Sequence, residues 1–273
     1  VKEAPALNDR PRTNDAVTDA LRRDGYARYR AADLDLDAAA RSRDLAEIEG
    51  VFATLPPDPY APHTNRFRRY SHAVYLPWTG QLFFTPGAPD PTHGTVTEYW
   101  QDDHNPEFPD VRRRLPDLPT ALHGNALLQC LIHTDLAHAT WLDDLQRTPV
   151  YVGVHLLKLA VHASAETAVS SPNSLHQDGG SPATFTFAHF IGSTNIRGGE
   201  NVIATPESAG RQPDDLPDTA VHARFTLHDP LDGYAVHDHR VSHYVGPVSL
   251  GDGTGPGERR ILIIGIAPYG PRL

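Results

Sequence analysis

At 273 residues the chain is long enough to bury a sizeable core, as one large domain or two small ones. A formal net charge of −10 with no long run of Lys or Arg argues against nucleic acid or an anionic membrane as the main partner, and leaves a small molecule. Cys130 is the sole cysteine, so no internal disulfide framework exists, and without a leader-like segment or long apolar span the expected location is the cytoplasm.

Residues 1–13 are polar and Pro-containing and read as a loose terminus. Asn14 or Asp15 can cap a helix whose Val17, Ala20 and Leu21 share a face, and Gly25 stands where a left-handed C-terminal cap falls. Tyr26 to Arg30 reads as a first strand. Asp37 opens a second helix over Ala38 to Glu49, followed by Gly50, and Leu45 and Ile48 turn toward a core. Both helices read as outer cover.

Frequent Pro between Pro56 and Pro119 rules out long helices and predicts strands joined by irregular loops. Ala73 to Leu76 and Gln81 to Phe84 are two of them. The run Arg66-Phe67-Arg68-Arg69-Tyr70 admits two readings: a solvated strand face, or an inward Arg that binds a carboxylate. Leu128, Leu131, Ile132 and Leu136 recur at helical spacing in Ala126 to Ala139, a helix expected to end near Trp141 to Leu145.

Val150 to Val161 is a strand buried on both sides, with Val152, Val154, Leu156 and Ala160 on one face and His155, Leu157, Leu159 and Val161 on the other. Strands are also expected over Thr184 to Ile191, Glu200 to Ile203, Tyr234 to Val236, Val241 to Val248 and Arg260 to Ile266, with loops at Arg211 to Asp218 and Gly251 to Gly257. Many short strands in the second half, with helices mostly in the first, predict a β-sandwich or jelly-roll barrel covered by helices.

The chemistry concentrates in Ser174-Leu175-His176-Gln177-Asp178-Gly179-Gly180. In extended backbone, side chains two apart point the same way, so the His176 imidazole and the Asp178 carboxylate can converge on one cation. His133-Thr134-Asp135 is an internal control: on a helix, residues i and i+2 lie about 200° apart, so this pair reads as a solvated or satisfied helix face. A second His would complete the two-His-one-carboxylate face of non-heme Fe(II) oxygenases, with positions left open. The segment His237 to Val248 offers His237, His239 and His243. Asp238 to Arg240 is a polar turn, whereas His243 lies in an apolar run where a buried imidazole needs a partner, so His243 is the choice.

Four segments in order, His176-Gln177-Asp178-Gly179, Gly198-Gly199-Glu200-Asn201, Arg240 to Val248 and Arg259-Arg260-Ile261-Leu262-Ile263, resemble the Fe(II)/2-oxoglutarate-dependent dioxygenase family that includes bacterial L-isoleucine 4-hydroxylase. The similarity reaches upstream to Arg66 to Tyr70 and His155 to Lys158. The resemblance implies a mainly β, double-stranded β-helix (jelly-roll, cupin-like) fold with flanking helices. It implies one dioxygenase domain over 1–273, with an N-terminal helical cover at 1–50 and the core barrel at 150–268. His176, Asp178 and His243 would hold Fe(II), and 2-oxoglutarate with O2 would serve as cosubstrates. It further implies hydroxylation of an unactivated carbon of a free L-amino acid or close derivative, with release of succinate and CO2. A carboxylate at position 178 speaks against halogenation, which in similar enzymes uses a small residue there. Arg259 and Arg260 point to opposite faces of the last strand, and the family-like order of Arg, one residue, then three aliphatics selects Arg259 as the 2-oxoglutarate anchor. Arg66, Arg68, Arg69 and Lys158 are unranked candidates for the substrate carboxylate.

Two rival readings use the same residues. One is a cupin-like hydrolase or isomerase with Zn2+ on His176, Asp178 and His243, since Zn accepts the same ligand types. The other is a non-catalytic jelly-roll binding module in which Asp178-Gly179 merely shapes a turn.

Overall fold

The computed structural model describes residues 15–34, 38–101, 107–108 and 110–270, apart from the side chains of 38–40. From the N-terminus, α1 (Asp15–Asp24) leads into β1 (Tyr26–Tyr29), α2 (Ala38–Phe52), β2 (Arg66–Leu76) and β3 (Gln81–Phe84). A meander of β4 (Ala88–Asp90), β5 (Gly94–Tyr99) and β6 (Arg113–Pro116) precedes α3 (Ala126–Ala139) and α4 (Asp143–Arg147). Then come β7 (Val150–Val161), β8 (Thr167–Ala168), β9 (Phe185–Thr194), β10 (Ile196–Gly198), β11 (Asn201–Ala204) and β12 (Val221–Phe225). The chain closes with β13 (Gly233–His237), β14 (Ser242–Val245), β15 (Val248–Leu250) and β16 (Gly257–Pro268).

Seven strands in the order β1-β13-β9-β16-β7-β2-β3 form an antiparallel major sheet, and β12-β11-β14 form a minor one. The two meet in a cluster of Ala188, Phe190, Ile203, Phe225, Tyr234 and Ile261. This is the expected double-stranded β-helix. Its central sheet draws β1, β2 and β3 from outside the expected barrel span of 150–268, because β7 needs β2 to pair its free edge over ten residues, Arg66 to Tyr75.

Period-two alternation divides the long strands between two environments. On β7, Val150, Val152, Val154 and Leu156 face the helices, where they pack with Val17 and Leu21 of α1, Ile48 and Phe52 of α2, and Leu128, Leu131 and Ile132 of α3. On β16, Leu262, Ile264 and Ile266 join the same cluster. Each such side chain contributes about 1.5–3 kcal/mol by leaving water. The opposite residues, His155, Leu157 and Leu159 on β7 and Arg259, Ile261 and Ile263 on β16, line the barrel interior.

Some boundaries differ from expectation. Gly25 takes φ +80 and closes α1 as its sequence position predicts, whereas α2 runs through Gly50 to Phe52 because burying Phe52 outweighs the propensity cost of one Gly. Asn14 and Asp37, the other expected caps, lie outside the described residues. Val241 to Val248 is not one strand: it breaks at Gly246-Pro247, so β14 pairs with β11 and β15 with β10 and β8. No helix among the described residues is long and apolar enough to cross a membrane.

Candidate metal centre

A backbone bridge brings the predicted ligands together. His176 N–H donates to His243 O at 3.0 Å and His243 N–H to His176 O at 2.9 Å, so the two residues stand directly opposite, with ring centroids 4.4 Å apart. Asp178, two residues on, reaches the same spot: Oδ1 lies 4.0 Å from His176 Nε2 and Oδ2 lies 3.4 Å from His243 Nε2. One ligand atom from each residue falls within 4.8 Å of the others, and this is the one such group of His, Cys, Asp or Glu found among the described residues. His237 and His239 are not part of it. His237 points to Pro182 O and stacks on Phe185, and His239 is exposed.

Neighbouring groups orient each member. His176 Nδ1–H donates to Ser174 O at 2.8 Å, which leaves Nε2 with a free lone pair. Asp178 Oδ1 accepts from Gln101 Nε2 at 2.9 Å, and its backbone N–H donates to Asp238 Oδ1 at 2.9 Å. Thr186 Oγ1 lies 2.9 Å from Asp238 Oδ2 and 3.1 Å from Asp178 Oδ2, so its one proton serves either carboxylate. His243 Nδ1 faces Asp238 Oδ1 at 3.6 Å.

Electrostatics treat the three groups differently: burial opposes the charged form of His243, but the hydrogen bond and charge of Asp178 outweigh it and raise that imidazole above its usual value. Burial, then the neighbouring His243, push the His176 imidazole down to about 4, so it is neutral at pH 7. Burial opposes ionisation of Asp178, but the hydrogen bond and charge of His243 outweigh it and hold the carboxyl well below its usual range. Asp238 behaves oppositely. Burial and the charge of Asp178 raise it to about 7.

The triad borders a cavity of about 100 Å³ whose wall carries Arg259, Tyr234, Ile261 and Ile263. Arg259 is 5% exposed, and its Nη2 has no hydrogen-bond partner among the described residues. Gly199 makes its seat: at φ +74, a Cβ there would lie 3.1 Å from Arg259 Cδ. Arg260 takes the other face of β16, 4.0 Å from Glu49. Two strands along the same sheet from Arg259, β2 turns Arg66 and Arg68 into the cavity, 4% and 3% exposed, so the Arg-rich run is not a solvated face. Arg69 has the wrong parity and donates to Asp117 O, while Lys158 lies outside the barrel against Glu258 at 3.2 Å. Alternation thus separates the four candidates into two that face the cavity and two that do not.

Sequence reasoning missed Arg113, Gln101, Tyr99, Thr186 and Asp238, which also line the cavity or support the triad. Arg113 and Tyr99 come from the β5–β6 meander, where no local pattern announces an inward side chain. Asp238 lies in the expected polar turn yet is fully buried. His133 and Asp135 diverge as helix geometry predicts, but their surroundings are not solvent: Asp135 is 1% exposed and pairs with His189 Nε2 at 2.8 Å.

Comparison with known proteins agrees with this geometry. The 2OG-Fe dioxygenase family model matches residues 49–265. The 3(1)-hydroxy-L-isoleucine 4-dioxygenase of Pantoea ananatis is 31% identical over 227 residues, which cover 81% of this chain and 80% of that protein. In fold, the chain is similar to the crystal structure of IDO from Bacillus thuringiensis, with TM-score 0.69, 16% identity and coverage of 94% and 95% of the two chains. It is also similar to a bsmA homolog from Methylobium petroleophilum PM1, with TM-score 0.74, 20% identity and 96% coverage of each chain. The chain therefore belongs to the 2OG-Fe dioxygenase family, non-heme iron enzymes that use Fe(II), 2-oxoglutarate and O2.

Proposed function

We propose that this dioxygenase hydroxylates an unactivated carbon of a free L-amino acid or close derivative, a small-molecule substrate, and that His176, Asp178 and His243 are its iron ligands. The observation that carries the site assignment is the convergence of these three side chains beside a buried, incompletely partnered guanidinium in one cavity. The donor set fits Fe(II): two imidazoles and a carboxylate offer ligand atoms within 4.8 Å of one another at the wall of the cavity, and a bound cation would displace any proton shared between His243 and Asp178. Arg259 fits the distal carboxylate of 2-oxoglutarate, since a planar guanidinium can donate two parallel hydrogen bonds. The amino-acid substrate class rests on the named activity of the Pantoea relative.

When bound, the iron centre couples oxidative decarboxylation of 2-oxoglutarate by O2, giving succinate and CO2, to hydroxylation of a substrate C–H bond. The chain's own residues bind and orient. Ser174 O fixes the His176 tautomer, and Gln101 and Thr186 restrict rotation of the Asp178 carboxylate. Leu157, Leu159, Ile261 and Ile263 keep water from the cofactor end of the cavity. A succinate-release assay with Fe(II), 2-oxoglutarate and a panel of free L-amino acids and N-acyl derivatives tests the reading. Stimulation by one or more panel members is the expected result; stimulation only by a peptide or carrier-bound substrate would overturn the substrate class.

A further inference from the structure

Around the cavity beside the metal triad, the described residues bring together more positive charge than they neutralise. Arg66, Arg68 and Arg113 all line the cavity and are 4%, 3% and 1% exposed. Arg66 and Arg68 share the carboxylate of Asp58, itself fully buried. Arg66 uses it, through Nε at 2.9 Å and through Nη2, and sends Nη1 to Ser171 O. Arg68 gets only a 3.5 Å contact with the same oxygen, and its other head-group contact, 2.7 Å, is to His155 Nδ1, which brings no negative charge. Arg113 donates to the amide oxygen of Gln101. The Nε atoms of both Arg68 and Arg113 are buried without a partner among the described residues.

These two guanidiniums flank one ring, with their Cζ atoms 5.4 and 4.6 Å from the Tyr99 centroid. Tyr99, Gln101, His155 and Asp178 also border a second, wider cavity of about 740 Å³ whose lining includes Trp100 and Tyr269. A ligand entering from that side meets Arg68 and Arg113 at the partition, beside Asp178. Fe(II), Asp178, Arg259 and the 2-oxoglutarate dianion together carry no net charge, and Arg66 is neutralised by Asp58, so among the described residues Arg68 and Arg113 are left without a matching anion. Among the described residues, nothing comparable awaits a substrate ammonium. Among the described residues, Asp178 is the carboxylate lining the inner cavity. Glu98, at the rim of the wider one, faces Arg112 at 4.0 Å with both side chains exposed. Glu107 lies outside the lining and holds Ser171 Oγ and Asn173 N–H.

We propose that Arg68 and Arg113 form an anion clamp for the substrate, and that the substrate is a carboxylic acid of net negative charge, an acidic or N-acylated amino acid rather than a neutral zwitterion. This rests on the amino-acid reading above and narrows it. Two guanidiniums on one side of the site favour two anionic oxygens or an uncompensated carboxylate, and an unpaired ammonium placed beside them is repelled.

Binding rather than turnover decides it. Calorimetry uses the full chain loaded with Ni(II) as an inert stand-in for iron and saturated with 2-oxoglutarate. The probes are L-glutamate against L-glutamine, N-acetyl-L-leucine against L-leucine, and glutarate against its monoamide. The anionic member of each amino-acid pair should bind at least about 10-fold more tightly. Arg68→Gln and Arg113→Gln should cut that preference below about 3-fold, with Arg113→Lys intermediate. Unchanged 2-oxoglutarate affinity in each variant certifies the fold. Equal or tighter binding of the net-neutral members overturns the proposal. If no amino-acid compound binds but glutarate does, and loses affinity in both Gln variants, the amino-acid reading falls and the clamp stands. If no added anion binds at all, the clamp falls, and the succinate-release assay judges the amino-acid reading by itself.

Discussion

His133-Thr134-Asp135 and His176-Gln177-Asp178 share a pattern and end in opposite surroundings. On α3 the first pair diverges: His133 meets the Tyr75 ring edge-on at 5.7 Å, while Asp135 turns beneath the sheet. There Asp135 accepts from His189 Nε2, and His189 Nδ1 meets the Tyr29 hydroxyl at 3.2 Å. Burial raises the Asp135 carboxyl against the pull of His189, and burial followed by the Asp135 charge raises Tyr29 well above its usual range. Each of these polar groups finds its partner within the protein. The second pair lies on the cavity side of the same sheet, where His176 Nε2, Arg259 Nη2 and the Nε atoms of Arg68 and Arg113 have no protein hydrogen-bond partner among the described residues. A buried polar group costs free energy unless something satisfies it; unmatched donors elsewhere, such as Arg69 Nε, Arg260 Nε and Trp141 Nε1, are scattered, whereas those of Arg68, Arg113 and Arg259 gather at one cavity beside the three converging side chains.

The sharpest way to break this contrast is to remove a converging side chain. Ala at His176, Asp178 or His243 should lower succinate release by more than about 100-fold, and chelation of the metal should do the same to the wild type. His239→Ala should retain activity; the reverse pattern between His239 and His243 would place the second imidazole ligand wrongly. The helix-side counterpart is Asp135→Ala. Breaking this buried pair should cost about 3–5 kcal/mol in urea unfolding while leaving the metal affinity of the folded protein unchanged.

His138 offers a pH test on the same side. It is 3% exposed, its Nδ1 lies 3.0 Å from Thr18 Oγ1, and burial followed by His189 pushes it down to about 4. Because the folded value lies below the unfolded one of about 6.5, the native state binds fewer protons in that interval. Stability is therefore full above pH 6.5 and falls as the pH drops toward 4, by about 3 kcal/mol, a slope that His138→Gln should flatten in denaturant titrations.

The smallest effect belongs to the proposed 2-oxoglutarate anchor. Arg259→Lys should raise the apparent Michaelis constant for 2-oxoglutarate about 10-fold, the loss of one charge-assisted hydrogen bond, while Arg260→Lys should do little. If the two variants exchanged behaviour, the face of β16 that enters the barrel would be the other one.

Much of this was legible without coordinates, because strands and helices announce themselves through short-range periodicity. The buried strand β7, the α1 cap at Gly25, the parity of His176 and Asp178 and the divergence of His133 and Asp135 all follow from local geometry. The choice of His243 over its neighbours also came from local context, an apolar run against a polar turn. Where local cues compete, the reading failed: Gly50 did not end α2, and Gly246-Pro247 split an apparently continuous strand between two sheets.

By itself the sequence determined on which side of a strand each neighbour must stand, since alternation is a property of the backbone alone, and from that it nominated His176 and Asp178 as a converging pair. Only the tertiary structure decided which side is the inside. Pairing of β2 with β7 turned Arg66 and Arg68 inward and sent Arg69 and Lys158 out, and packing of the β5–β6 meander over the barrel brought Arg113, Tyr99 and Gln101 to the triad. Those contacts join residues far apart in the chain, for example Gln101 with Asp178, and they are set by the packing of sheets and connections against one another, which no local period encodes.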